Sequence, residues 1–300
     1  MNALTGISPG IGDDQMSAAA EQGRICALAA KGQRDLAGIA ASHPDLFPGR
    51  PFDAALFSTV AMTVAFNAPW RELAQLRLTN RAVLWAFAVD WLIDHEARSR
   101  DEIDGLTARC LAVIDGDAPE EGDLLGAFTA EMRDELAAAP AFAAYRECWR
   151  EESRKVLAAM AREWSWKQNP GRLPSLDDYV DNSANLASTV VNVVHWMHSD
   201  DAATLRHLDA LLATSDQVQR ILRLVNDVAT YERDLRWGDL NALLLVPRVD
   251  VERRIVELVA QARRMLEPLH GSCPVEANYL ARQLGFSSGF YQSTDFWGVS

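Results

Sequence analysis

The sequence predicts an all-α protein, and three observations carry that prediction. Apolar residues recur at helical spacing through almost every segment, and no stretch shows the period of two expected of a half-buried strand. The segments are separated by short turns rich in Pro, Gly, Ser and Asp. With 300 residues, 49% of them apolar, the chain can bury a large core as a single domain.

Residues 1–20, MNALTGISPGIGDDQMSAAA, lack both a basic start and a continuous apolar run, so they read as a flexible leader and not as a signal peptide, with residues 21–300 forming the helical domain. Glu21 to Ser42 is alanine-rich and helical in period, and His43-Pro44 and Phe47-Pro48 close it. Phe52 to Asn67 and Leu78 to Arg98 follow. Ala54 to Trp70 is the most apolar stretch, but Ser58, Thr59, Thr63 and Asn67 interrupt it, which argues for a buried helix and against a membrane span. The run HEARSRDEID after Asp94 is charge-rich and expected at the surface.

Glu102 to Ile114, Asp123 to Leu136 and Pro140 to Trp166 continue the pattern until QNPGRLP breaks it. Ser175 caps the next helix, Leu176 to His198, whose first turn carries Asp177 and Asp178. That helix mixes Asn182, Ser183, Asn185, Ser188 and Thr189 with Val190, Val191, Val193 and Val194. Short polar side chains compete for backbone hydrogen bonds and β-branched ones disfavour the helix, so a kink or unwinding is predicted near Ala187-Ser188-Thr189. Ser215-Asp216 reads as the cap of a helix that runs to Arg236 and stops at Gly238. Asp250 to Leu269 and Pro274 to Phe290 complete the set.

A formal charge of −13 argues against a nucleic-acid-binding surface, while the local cluster Arg220, Arg223, Arg233 and Arg236 suits a small anionic substrate. The four cysteines are far apart and form no CxxC pair, so neither a zinc site nor a disulfide framework is expected and a cytoplasmic setting fits best.

Two stretches carry chemistry. In the helix ending at Arg236, Val218, Ile221, Leu222, Val225 and Ala229 make an apolar arc, and Asn226, Thr230 and Asp234 form a stripe between about 80° and 160° from Val218. Their amide, hydroxyl and carboxylate oxygens are hard donors of the kind magnesium prefers, and Arg233, at about 60°, can reach a phosphate beside them. The bland reading is a mixed polar flank facing water. In AVLWAFAVDWLID, Ala82 to Asp94, the only charged residues are Asp90 and Asp94, four apart and on one face. An unpaired carboxylate in so apolar a helix needs a positive partner, either an arginine or a metal ion shared with a substrate diphosphate.

Together these stretches resemble the bacterial class I terpene synthases, whose members carry an aspartate-rich motif, DDxxD or a variant, and a downstream (N/D)Dxx(S/T)xxxE. Here the first reads Asp90-Trp91-Leu-Ile-Asp94, with tryptophan in place of the second aspartate. The second runs from Asn226-Asp227 through Thr230 and Arg233 to Asp234, with aspartate in place of the final glutamate. The resemblance covers roughly Phe52 to the C-terminus. It implies an antiparallel helical bundle around a central apolar cavity, and Mg2+-dependent ionisation and cyclisation of a linear prenyl diphosphate, geranylgeranyl diphosphate in preference to farnesyl diphosphate. Three Mg2+ ions are implied on Asp90, Asp94, Asn226, Thr230 and Asp234, with Arg233 on the diphosphate.

The family has a diphosphate-sensing arginine in the kinked helix, and this chain has none between Arg172 and Arg206. It also lacks the Arg-Tyr dipeptide many members carry near the C-terminus, for which Arg282 and Tyr291 are the candidate substitutes. The pocket lining implied is Phe57, Phe66, Trp85, Phe87, Trp196 and Trp297, with Ala187 and Ser188 at the break. Whether the chain works as a homodimer is open. So are two other readings: a prenyl-chain elongating synthase, which normally has two DDxxD motifs, and a non-catalytic helical protein with the Asn-Thr-Asp stripe facing solvent.

Overall fold

The structure, a computed structural model, describes residues 13–198 and 201–297. Among them there are only helices: α1 Asp13–Ser42, α2 Ala54–Asn67, α3 Leu73–Trp91, α4 Arg100–Asp115, α5 Leu124–Leu136, α6 Phe142–Lys167, α7 Leu176–Ser183, α8 Ser188–Trp196, α9 Ala202–Arg206, α10 Leu208–Trp237, α11 Arg248–Ser272 and α12 Pro274–Phe290. One π-helical turn, Leu92–Glu96, extends α3, and one 3-10 turn, Ala242–Leu244, follows α10. Side-chain caps set several starts: Asp53 accepts from Ala55 N at 2.8 Å and Leu56 N at 3.1 Å, and Ser99, Asp123 and Ser175 do the same for α4, α5 and α7.

The helices form the expected all-α bundle. α3 packs on α2, α5 and α8, α10 packs on α7, α8, α11 and α12, and α4 lies against α5 and α6. Trp85, Tyr145, Trp149 and Trp196 are each almost wholly buried in the largest apolar cluster; burial of a large side chain contributes about 1.5–3 kcal/mol. No described helix is long and apolar enough to cross a membrane.

Four expectations change. Residues 13–20, read as leader, are the first turns of α1, for which the Ala18-Ala19-Ala20 run is a strong helix former; residues 1–12 lie outside the described residues. The helix read as starting at Ser215 starts at Leu208, because Ser215 is buried and its hydroxyl is spent on Thr189 at 2.9 Å and Asn192 at 2.7 Å instead of capping. Ala229, placed on the apolar arc, is exposed, and Asp227 takes the buried position. The helix read as Leu176 to His198 is two helices, α7 and α8, with the expected unwinding at residues 184–187 and Ala187 left-handed at φ 78°. A non-glycine residue in that region is strained and persists only where its surroundings hold it.

Candidate active site

A cavity of about 280 Å³ lies between α3, α6, α8, α10 and α12. Asp90, in the last turn of α3, and Asp94, in the π-helical turn, both line it. Asp90 has no hydrogen bond or ion pair among the described residues. Burial, then the carboxylates of Asp94 and Asp239, hold its carboxyl well above the usual range, against a weaker pull from Arg223. Burial also raises Asp94, opposed by Lys167. The Lys167 ammonium donates to Asp94 Oδ1 at 3.3 Å and to Asp239 Oδ1 at 2.7 Å, bridging residues 73 and 72 positions away in sequence. Burial lowers the pKa of neighbouring His95, which favours its neutral form.

The facing wall is α10, from which Asn226, Arg233 and Asp234 line the cavity. Thr230 sits behind them, its hydroxyl 2.8 Å from Asp234 Oδ2 and 2.9 Å from the Asn226 carbonyl. Asp234 also accepts from Asn241 Nδ2 at 2.8 Å and from Arg233 Nε and Nη2 at 3.1 and 2.9 Å. Arg233 reaches on to Asp295 Oδ2 at 3.0 Å and lies 5.2 Å from the Trp237 ring centroid. Asp227, fully buried, anchors the helix from behind: it accepts from Tyr179 OH at 2.8 Å and Ala242 N at 2.9 Å and pairs with Arg223 Nε at 3.0 Å. Arg223 in turn binds Glu163 Oε2 at 3.2 Å, and burial pushes the Glu163 carboxyl up to about 7 despite that partner.

The structure sorts the remaining candidates. Phe87, Ala187, Ser188, Tyr291 and Trp297 line the cavity. Phe57, Phe66, Trp85 and Trp196 do not: Trp85 donates to Thr129 on α5 at 3.0 Å, Phe66 stacks on Phe286 at 5.2 Å, and Phe57 and Trp196 are core packing. Arg282 donates to the Phe66 carbonyl at 2.6 Å and lies outside the lining, whereas Tyr291 hydrogen-bonds Asn226. Trp91 packs its ring on His95 at 4.4 Å and faces Phe52 and Trp297, away from the two aspartates' cavity. Lys167, Glu163, Asp239, Trp237 and Phe296 line the site and escaped the sequence reading, since nothing local marks them.

A family model described as terpene synthase family 2, C-terminal metal binding, matches residues 81–265, a span that holds both acid walls. The chain belongs to the terpene synthase family. Over 279 residues it is 28% identical to the ent-pimara-9(11),15-diene synthase of Streptomyces sp. (strain KO-3988), covering 90% of this chain and 93% of that one. In fold it is similar to the linalool/nerolidol synthase of Streptomyces clavuligerus solved with 2-fluorogeranyl diphosphate, with a TM-score of 0.70, 17% identity and coverage of 90% and 98%. It is similar also to the 2-methylisoborneol synthase of Streptomyces coelicolor A3(2) solved with Mg2+ and geranyl-S-thiolodiphosphate, with a TM-score of 0.72, 15% identity and coverage of 91% and 92%. This chain is therefore an enzyme of the terpene synthase/cyclase class, and the non-catalytic reading falls.

The donor set of this terpene synthase fits a hard divalent cation. Five carboxylates, Asp90, Asp94, Glu163, Asp234 and Asp239, face three side-chain cations, Lys167, Arg223 and Arg233, across the lining. Asp90 has no bonded counter-charge among the described residues, only the weaker pull of Arg223. No cluster of three acidic, His or Cys ligands stands ready among the described residues. The fit is thus to an ion held by one or two protein oxygens at each wall and completed by water and phosphate, as magnesium prefers.

Proposed function

We propose that this terpene synthase is a cytoplasmic class I cyclase, ionising a linear prenyl diphosphate, geranylgeranyl in preference to farnesyl, and cyclising the resulting carbocation with release of diphosphate. The observation that carries the reading is the meeting of Asp90 and Asp94 with Asn226 and Asp234 across one cavity rich in unbalanced carboxylate. The curated relative, named for a pimaradiene, supports the C20 choice.

Asp90 and Asp94 at one wall, and Asn226 and Asp234 at the other, would hold Mg2+, three ions in this reading, with Thr230, expected as a further ligand, set behind the lining. Bound there, Mg2+ supplies positive charge that makes diphosphate a better leaving group. Arg233, turned into the lining, donates to the diphosphate oxygens in exchange for one of its two carboxylate partners. Lys167 supplies the cation that the missing sensing arginine leaves wanting. Thr230 acts through Asp234, whose carboxylate it orients. Phe87, Trp237, Phe296 and Trp297 present ring faces that exclude water and favour a nearby carbocation over bulk solvent.

The test is incubation with geranyl, farnesyl and geranylgeranyl diphosphates and an already ring-closed C20 diphosphate, with Mg2+ or with EDTA, followed by mass spectrometry of the organic extract. The expected result is a Mg2+-dependent C20 terpene from geranylgeranyl diphosphate; undiminished turnover in EDTA, or no terpene from any substrate, would contradict it.

A further inference from the structure

A carbocation cavity calls for apolar and aromatic walls, and this one departs from that where α8, α10 and α12 meet. Ser188, Gln219, Gln283 and Ser287 all line it there. The backbone N–H of Ser188, directly after left-handed Ala187, donates to Gln219 Oε1 at 2.9 Å, which fixes the amide so that its NH2 is the free end. Gln283 Nε2 donates to Ser188 Oγ at 2.8 Å, and Gln283 Oε1 accepts from Asn192 at 3.2 Å.

Two polar groups in this junction are left over. Gln219 Nε2 and the Ser287 hydroxyl have no partner among the described residues, although Gln219 is only 8% exposed and Ser287 4%. Both residues open onto the cavity. Buried polar groups normally find partners, and a hydrocarbon chain cannot supply one. A water molecule can: Gln219, Ser188 and Ser287 offer it three partners, the usual number for a buried water. Gln219 lies seven residues before Asn226 on α10, about 10 Å along the helix axis. The junction therefore faces the hydrocarbon part of a bound substrate and not its leaving group.

Resting on the class I reading above, we propose that Gln219, Ser188 and Ser287 hold one water molecule that captures the cyclised carbocation, so that the enzyme releases a terpene alcohol. The Gln219 amide donates to one lone pair of the water, and the two serine oxygens accept its hydrogens. The second lone pair forms the C–O bond to the electron-deficient carbon. The resulting oxonium then passes an O–H proton to the Ser287 hydroxyl that accepts it, which hands its own proton on to solvent water, leaving a neutral alcohol. No group is oxidised or reduced.

The experiment is turnover of geranylgeranyl and farnesyl diphosphates in H2(18)O with Mg2+, measuring diphosphate release and extracted products together. Wild type is expected to give an alcohol carrying the heavy oxygen. Ser287→Ala, which removes a hydroxyl with no protein partner, should lower alcohol formed per diphosphate released about tenfold in favour of hydrocarbon, the worth of one hydrogen bond to the attacking water. Gln219→Glu, which keeps the acceptor for Ser188 N–H but removes the amide donor, should shift the ratio the same way. Diphosphate release with hydrocarbon products only, an alcohol without the label, or a labelled alcohol indifferent to both substitutions would overturn the water site while leaving the class I reading standing. Absence of diphosphate release from any substrate would overturn that reading and the water site with it.

Discussion

The two acid walls of the cavity use the same element, oxygen on a helix, in opposite states. On α3 and its π-helical turn, Asp90 has no hydrogen bond or ion pair among the described residues, and burial and neighbouring carboxylates push both carboxyls upward, Asp94 against its partner Lys167. On α10, Asp234 is already held by Thr230, Asn241 and Arg233, and Asp227 behind it by Tyr179, Arg223 and Ala242. The first wall pairs Asp94 with Lys167 and leaves Asp90 without a bonded cation, whereas the second carries its own. Function and stability should therefore separate at Asp90 and coincide at Asp234.

The largest effect that can break this comparison is Asp90→Asn. We expect turnover to fall by about three orders of magnitude, the several kcal/mol that metal charge supplies at a leaving group. The melting temperature of metal-free protein should hold or rise, because a repelled carboxylate is removed. A melting temperature that drops sharply would show that Asp90 has a protein partner. Next in size, Asp234→Asn should lose activity and stability together, by about 3–5 kcal/mol as for one partner removed from a buried pair; denaturant unfolding compared with Asp90→Asn checks it.

Glu163 sharpens the comparison through pH. Its folded carboxyl titrates near 7, above its unfolded value, so between about pH 4.3 and 7 the folded state holds a proton that the unfolded state has lost. Stability from this group is full below that window and falls as pH rises through it, by at most about 1.4 kcal/mol per unit. Glu163→Gln should remove that slope from the difference between the two unfolding curves. The smallest effect belongs to Arg282→Ala. Its guanidinium is spent on the Phe66 carbonyl outside the cavity, so kcat should stay within about twofold, with any loss of about 1 kcal/mol appearing only in stability.

What was legible in the sequence was local. The four-residue steps of Asp90 to Asp94 and of Asn226, Thr230 and Asp234 place each set on one helix face whatever the helix packs against. The break before Ser188 followed from side chains that compete with the backbone, and the stop at Gly238, φ 75°, from glycine alone. What stayed hidden depends on partners distant in sequence. Trp85 and Phe87, two residues apart on one apolar helix, differ in that one meets Thr129 and the other the cavity. Lys167 is an ordinary helix-terminal lysine until the fold sets it between Asp94 and Asp239. Ser215 has the local pattern of a cap, but its buried partners on α8 are 23 and 26 residues away.

Whether both walls grip the same ions and the same diphosphate is read out by thermal unfolding with Mg2+ and inorganic diphosphate, separately and together. Ligands that bind only the folded state raise its melting temperature. The expected result is a rise that needs both ligands and is lost alike in Asp90→Asn and Asn226→Ala. A rise that survives intact in either variant, or no rise with both ligands present, would contradict it.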